Sequence, residues 1–297
     1  MSHNAFAVFV LCTAFVALTY AATPASSSDG SAKFAELSDQ FVKESLALSP
    51  TNASAAGYHK HVDSKTGKTI ELDATLDDLS LQGIDKQRAF YARWRERFHK
   101  ETPVASLGIE DAADWQLIDD QIGLSLLEFD KIQNYRHNPT AIVELIGNAI
   151  FLPLTQGYAS KEVRIGHVLS RMKAAPVLLD QVKTYLSDCD PVWIKTAIDE
   201  NEGNIDLVEN TVKDEIPPGS GLKEQYDQIA PSTIAALKDF SKWLQDDLSK
   251  RPSKLTWRLG KDLYDQKFKL VMETDITPEQ LLADAESDLK AVRAEML

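Results

Sequence analysis

The chain has 297 residues, 43% of them hydrophobic and 26% charged. That is enough to bury a large core, which excludes a disordered chain and a disulfide-stapled miniprotein. Its 32 Lys and Arg residues against 45 Asp and Glu leave a net charge of −13. A surface so acidic repels phosphate backbones and anionic headgroups, so neither nucleic acid nor an anionic membrane surface is an expected partner.

Ala5 to Ala22 form eighteen residues without a charge, with small residues at Ala21 and Ala22 and a polar Thr23-Pro24-Ala25-Ser26 continuation. This pattern reads as a signal peptide over residues 1–21 and a flexible linker over 22–32, and places the mature chain in a secreted or periplasmic compartment. The alternative is a retained N-terminal membrane anchor, because eighteen apolar residues nearly span a bilayer. With Cys12 inside the apolar run, cleavage leaves Cys189 as the single cysteine. An intramolecular disulfide is then impossible, and the core must supply stability. Asp188 and Asp190 flank Cys189, an acidic setting that raises a thiol pKa and blunts reactivity.

From residue 33 to 297 the hydrophobic period is helical, and the expected fold class is all-α, with about ten helices. Phe34, Leu37, Phe41 and Leu48 mark the first helix, which Pro50 ends. Residues 57–79 are polar and turn-rich and fit a short extended segment or loop. Leu81, Ile84, Tyr91, Trp94 and Phe98 follow Ser80 as an amphipathic helix, and Trp115 through Ile132 form another that stops before Asn138-Pro139. Thr140 to Phe151 is an apolar helix broken by Pro153, and Val168, Leu169 and Met172 share one face. Pro176 and Pro231 each read as the start of a new helix. Asp190-Pro191 reads as an N-cap with proline at the first helical position, and Thr277-Pro278-Glu279-Gln280 as a capping box. From that cap Leu282, Leu289, Val292 and Met296 run at helical spacing towards Leu297 with no stop signal.

Motifs for chemistry are sparse. None of the six histidines is followed by Glu, so His-Glu-x-x-His is absent. His59-Lys60-His61 would face one side of an extended segment, with Asp63 as a third metal ligand; isolated His-x-His pairs are also common in solvated loops. Gly-x-Ser-x-Gly and phosphate-binding loops are absent. In Asp199-Glu200-Asn201-Glu202-Gly203-Asn204 a glycine and two amides interrupt an amphipathic helix. The run marks either a kink at a cleft or a polar face with a packing glycine.

Four blocks in order carry a family resemblance: Ala56 to Asp63 with Leu76 to Ser80, Asp120 to Glu128 with Tyr135 to Pro139, Arg171-Met172 with Pro176 and Leu179, and Trp257 to Lys261 with Thr277 to Leu281. Together they resemble the N-terminal half of the bacterial domain-of-unknown-function family numbered 885. The resemblance implies a mostly helical protein similar to zinc metallopeptidases of the gluzincin kind, with a channel between two halves and a peptide substrate. It places the zinc signature, a His-Glu-x-x-x-Gly-His-like segment, in a C-terminal half. No metal ligand or catalytic residue carries over to this sequence, and a complete member alone would hold zinc. The missing C-terminal half is then the expected structural partner, and the chain is expected to be inactive alone. His59, His61, Tyr135, His137, Asn138, Asn201 and Asn204 match polar family positions as substrate-channel candidates. The other reading, from a different functional class, is a stand-alone secreted α-helical binding protein.

Overall fold

The computed structural model describes residues 29–296. The expected signal peptide and residues 22–28 of the linker lie outside them. Residues 29–32, assigned above to the linker, are already helical: α1 spans Asp29–Leu48, with Asp29 in its first turn, where a carboxylate favours the helix N-terminus. α2 (Pro50–Ala55) follows, opened by a proline at its first position. The polar stretch then forms an antiparallel hairpin, β1 (Lys60–Val62) and β2 (Thr69–Glu71), with His61 opposite Ile70. Asp63 closes its turn: Oδ1 accepts the backbone N–H of Thr66 at 2.7 Å and of Lys65 at 3.1 Å.

The remaining elements are helices: α3 (Leu81–Glu101), α4 (Ile109–Leu127), α5 (Asn134–His137), α6 (Pro139–Thr155), α7 (Lys161–Lys183), α8 (Pro191–Asp206), α9 (Val212–Glu215), α10 (Leu222–Asp246), α11 (Lys261–Met272) and α12 (Pro278–Glu295). The architecture is mainly α, as the hydrophobic period predicts. The two expected caps are in place, with the Asp190 side chain accepting from Val192 and Thr277 and Gln280 forming a capping box, and Ser80 Oγ caps α3 by accepting from Gly83. The helix from Trp115 does not run unbroken to Asn138. A π turn over Glu128–Ile132 and a left-handed Gln133 (φ 54°) separate α4 from α5.

Three prolines read as helix boundaries lie inside helices instead: Pro153 in α6, Pro176 in α7 and Pro231 in α10. An internal proline leaves the carbonyl four residues earlier without its N–H partner. For Pro153 that carbonyl is Ala149 O, which accepts from Arg171 Nη1 at 2.8 Å. For Pro176 it is Met172 O, which accepts from Thr233 Oγ1 at 2.9 Å. Donors from other helices replace the lost bonds, so α6 and α7 continue.

Two cores result. Aromatic residues of α1, α3 and α4 form the first, with Phe41 stacked on Phe90 at 5.8 Å and edge-on to Trp94 and Phe98. Such pairs add about 0.5–1.5 kcal/mol each beyond area burial. The second lies among α6, α7, α8 and α10, around Ile146, Leu169, Met172, Val208 and Phe240. Arg171, 1% exposed, stands on the buried face of α7 and donates to Thr75 O, Ala149 O, Pro50 O, Leu72 O and Ser54 Oγ. It thereby ties α2 and the segment after the hairpin to the second core. No described helix is long and apolar enough to cross a membrane.

Candidate functional site

α6 and α8 cross closely because one helix offers a glycine where the other offers an amide. A Cβ on Gly147 would lie 2.6 Å from Asn204 Oδ1. Asn204 is 7% exposed, and its Nδ2 donates to Val143 O of α6 at 2.9 Å. Directly after α8 the chain forms a π turn over Leu207–Thr211 before α9. The Tyr226 hydroxyl donates to Val208 O at 2.9 Å, within this turn. Such turns displace side chains from the regular helical rows and recur at functional sites.

Between α6, α8 and the turn lies an open groove of about 570 Å³. Val143, Phe151 and Leu207 form its apolar wall, Gly147 and Asn204 its floor, and Glu144, Glu200 and Asp206 its acidic rim. Partial desolvation raises the Glu144 carboxyl pKa; desolvation and then the neighbouring Glu144 charge raise that of Glu200. None of the three forms an ion pair with a described residue. The arrangement offers acceptors beside an apolar surface and suits a donor-bearing ligand with an apolar part. The run Asp199 to Asn204 therefore borders a cleft, and the backbone irregularity lies just after it, in the π turn.

Of the seven residues expected to line a channel, the groove takes in Asn204. Asn201, 1% exposed, faces α10 instead and donates to Leu237 O and Ser241 Oγ, both at 2.8 Å. Tyr135 packs edge-on against Tyr185, and His137 Nδ1 donates to Ser187 O at 2.8 Å. Asn138 caps α6 by accepting from the Thr140 N–H. His59 and His61 do not converge. His59 Nδ1 bonds Asp73 at 2.9 Å, and its ring stacks on Tyr158 at 4.1 Å. His61 Nδ1 bonds the Tyr58 hydroxyl at 3.0 Å, and its side chain borders a separate cavity of about 270 Å³ with Glu44 and Arg93. Asp63 is engaged by the hairpin turn. Among the described residues no three His, Cys, Asp or Glu side chains are grouped to hold a metal. Zinc, implied by the family resemblance, therefore does not fit the described residues.

Sequence reasoning missed Glu144, Gly147 and Asp206. The available signal was a lone carboxylate and a glycine three residues apart inside the apolar Thr140–Phe151 stretch, where neither serves a core helix.

No curated protein matches the chain. A solved structure from Shewanella oneidensis, named only as a candidate lipoprotein of unknown function, superposes with a TM-score of 0.71 at 21% identity. The match covers 89% of this chain and 46% of that one, so the chain spans about half the length of that structure. A family model described as "Bacterial protein of unknown function (DUF885)" matches residues 50–297, and the chain belongs to that family.

Proposed function

We propose that this chain is the N-terminal helical wall of a secreted or periplasmic peptide hydrolase of the metallopeptidase type, and that it needs a second half to act. The observation that carries this reading is the uncovered apolar surface along α12 and the outer side of α11, whose inner side lies on α4 with Leu270 beside Gly123. In α11 and α12 no residue is buried. Tyr264 is 50% exposed and Leu282 61%, and Leu289 and Val292 are comparably open. Apolar side chains repeated along a helix at this exposure mark a surface that another element covers. The solved structure of the same fold has more than half its length beyond the matched part, which is room for such an element. The peptidase chemistry comes from the family resemblance alone, and its metal ligands would have to lie outside the described residues.

The test is to purify the chain and assay a panel of fluorogenic peptides with added zinc, with and without a chelator. No hydrolysis is expected, together with binding of a hydrophobic dye that falls in the double variant L282E/L289E. Stoichiometric zinc with chelator-sensitive cleavage would overturn the proposal. The acidic groove, formed wholly within this chain, favours the second reading of a stand-alone binding protein. That reading requires a monodisperse chain that does not bind the dye.

A further inference from the structure

We propose that the groove between α6 and α8 binds an alkylammonium group carried on an apolar body. The inference stands apart from the hydrolase reading, because every residue it uses belongs to this chain.

Charge comes first. Glu144, Glu200 and Asp206 converge on one groove that no Lys, Arg or His lines. Three other acidic residues of the same helical run hold a lysine, Asp199 with Lys195, Glu209 with Lys238 and Glu215 with Lys161, whereas Glu202 and Asp214 stand outside the groove without an ion pair to a described residue. The three groove carboxylates lack such a partner among the described residues. Like charges gathered in this way favour an incoming cation.

The floor is an independent observation. Asn204 is more than nine-tenths buried and fixed by its Nδ2 bond to Val143 O, yet no described residue donates to its Oδ1. That oxygen lies over Gly147 at the base of the groove, in space that any Cβ would fill. The oxygen is held in place but not itself sealed from solvent, so it is an acceptor open to a ligand's donor. An ammonium group offers three N–H donors and a positive charge, so it satisfies the floor and the rim together.

The wall selects the rest of the ligand. Phe151 is 48% exposed beside Val143 and Leu207, an apolar strip next to the anionic rim. A bare divalent cation leaves that strip unused and needs six or more converging oxygens, which the described residues do not assemble. An amine on an aliphatic body uses both surfaces. A peptide amino terminus and a lysine side chain both present this chemistry.

Calorimetric titration of the full chain at low ionic strength tests the proposal. The probes are a Leu-Gly-Gly amide with a free amino terminus, its acetylated counterpart and Nα-acetyl-lysine amide. Binding by at least one amine probe is expected, at least tenfold tighter than the acetylated tripeptide. The double variant E144Q/E200Q should weaken it tenfold or more with the circular dichroism spectrum intact. E202Q, on α8 but outside the groove, should leave it within twofold. The preferred amine probe identifies the source of the ammonium group. The proposal is overturned if neither amine binds, if the acetylated tripeptide binds equally well, or if E202Q weakens binding as much as the groove variants.

Discussion

Arg171→Met is the substitution whose cost the structure defines best. The guanidinium is 1% exposed and its five hydrogen bonds reach four carbonyls and the Ser54 hydroxyl. Burial lowers its pKa from the ordinary arginine value, and the charges of Asp73 and Asp77, themselves buried, raise it again. Methionine fills most of the volume but leaves these acceptors unpaired and the two carboxylates without their cation. Removing one partner of a buried charged network costs about 3–5 kcal/mol. Against a typical total of about 5–15 kcal/mol that is a large fraction. At about 2–4 °C per kcal/mol for a chain of this size, the melting temperature should fall by roughly 6–20 °C. Urea and thermal unfolding followed by circular dichroism would measure it, with R171K as a second variant of intermediate loss, because one ammonium cannot fork across five acceptors. A sharper check uses Pro153, since Arg171 Nη1 serves the carbonyl that this proline leaves free. P153A restores the local N–H, so it should stabilise R171M by about 1 kcal/mol more than it stabilises the parent chain. An R171M chain within about 1 kcal/mol of the parent, or no coupling to P153A, would refute the reasoning.

Two glycines give opposite expectations. Gly147→Ala sets a Cβ 2.6 Å from the buried Asn204 Oδ1 and should destabilise by about 1–3 kcal/mol in urea unfolding, despite alanine's helix preference. Gly166→Ala in α7 meets nothing within 4 Å and should stabilise by up to about 1 kcal/mol. Glu200→Gln removes the repulsion with Glu144; with both side chains solvent-accessible and screened, a gain of about 0.3–0.5 kcal/mol at neutral pH is expected. The folded Glu200 pKa is raised, so the penalty of its charge appears as pH rises through that pKa and vanishes below the unfolded value. The advantage of E200Q should accordingly fade on acidification, and an advantage that grows there would contradict it. Burial, and then the Asp188 charge, push the Cys189 thiol up to about 12. In a C12S chain it should resist a thiol reagent at pH 8 until denaturant is added, and rapid native labelling would count against this.

Local signals read well where the physics is local. Ser80, Asp190-Pro191 and Thr277 fix helix starts through bonds spanning two or three residues, so their residue types suffice. Pro153 and Pro176 misled because what permits them is distant. Arg171 stands 22 residues from Ala149, and Thr233 61 residues from Met172. The acidic neighbours of Cys189 gave the right direction for its thiol, whereas burial, the larger cause, is a property of the assembled core. The candidate site divides in the same way. The Asp199 to Asn204 run was visible as an oddity of one helix, but a groove belongs to two. Glu144 and Gly147 acquire meaning only when α6 lies against α8. A pairing of clues was nevertheless present. Arg171 sits three residues after Val168 and four before Ala175, on a face otherwise apolar. A charge there requires acceptors, and a proline inside an apolar helix leaves one. Read together, Arg171 and Pro153 predict that their helices touch, which neither residue predicts alone.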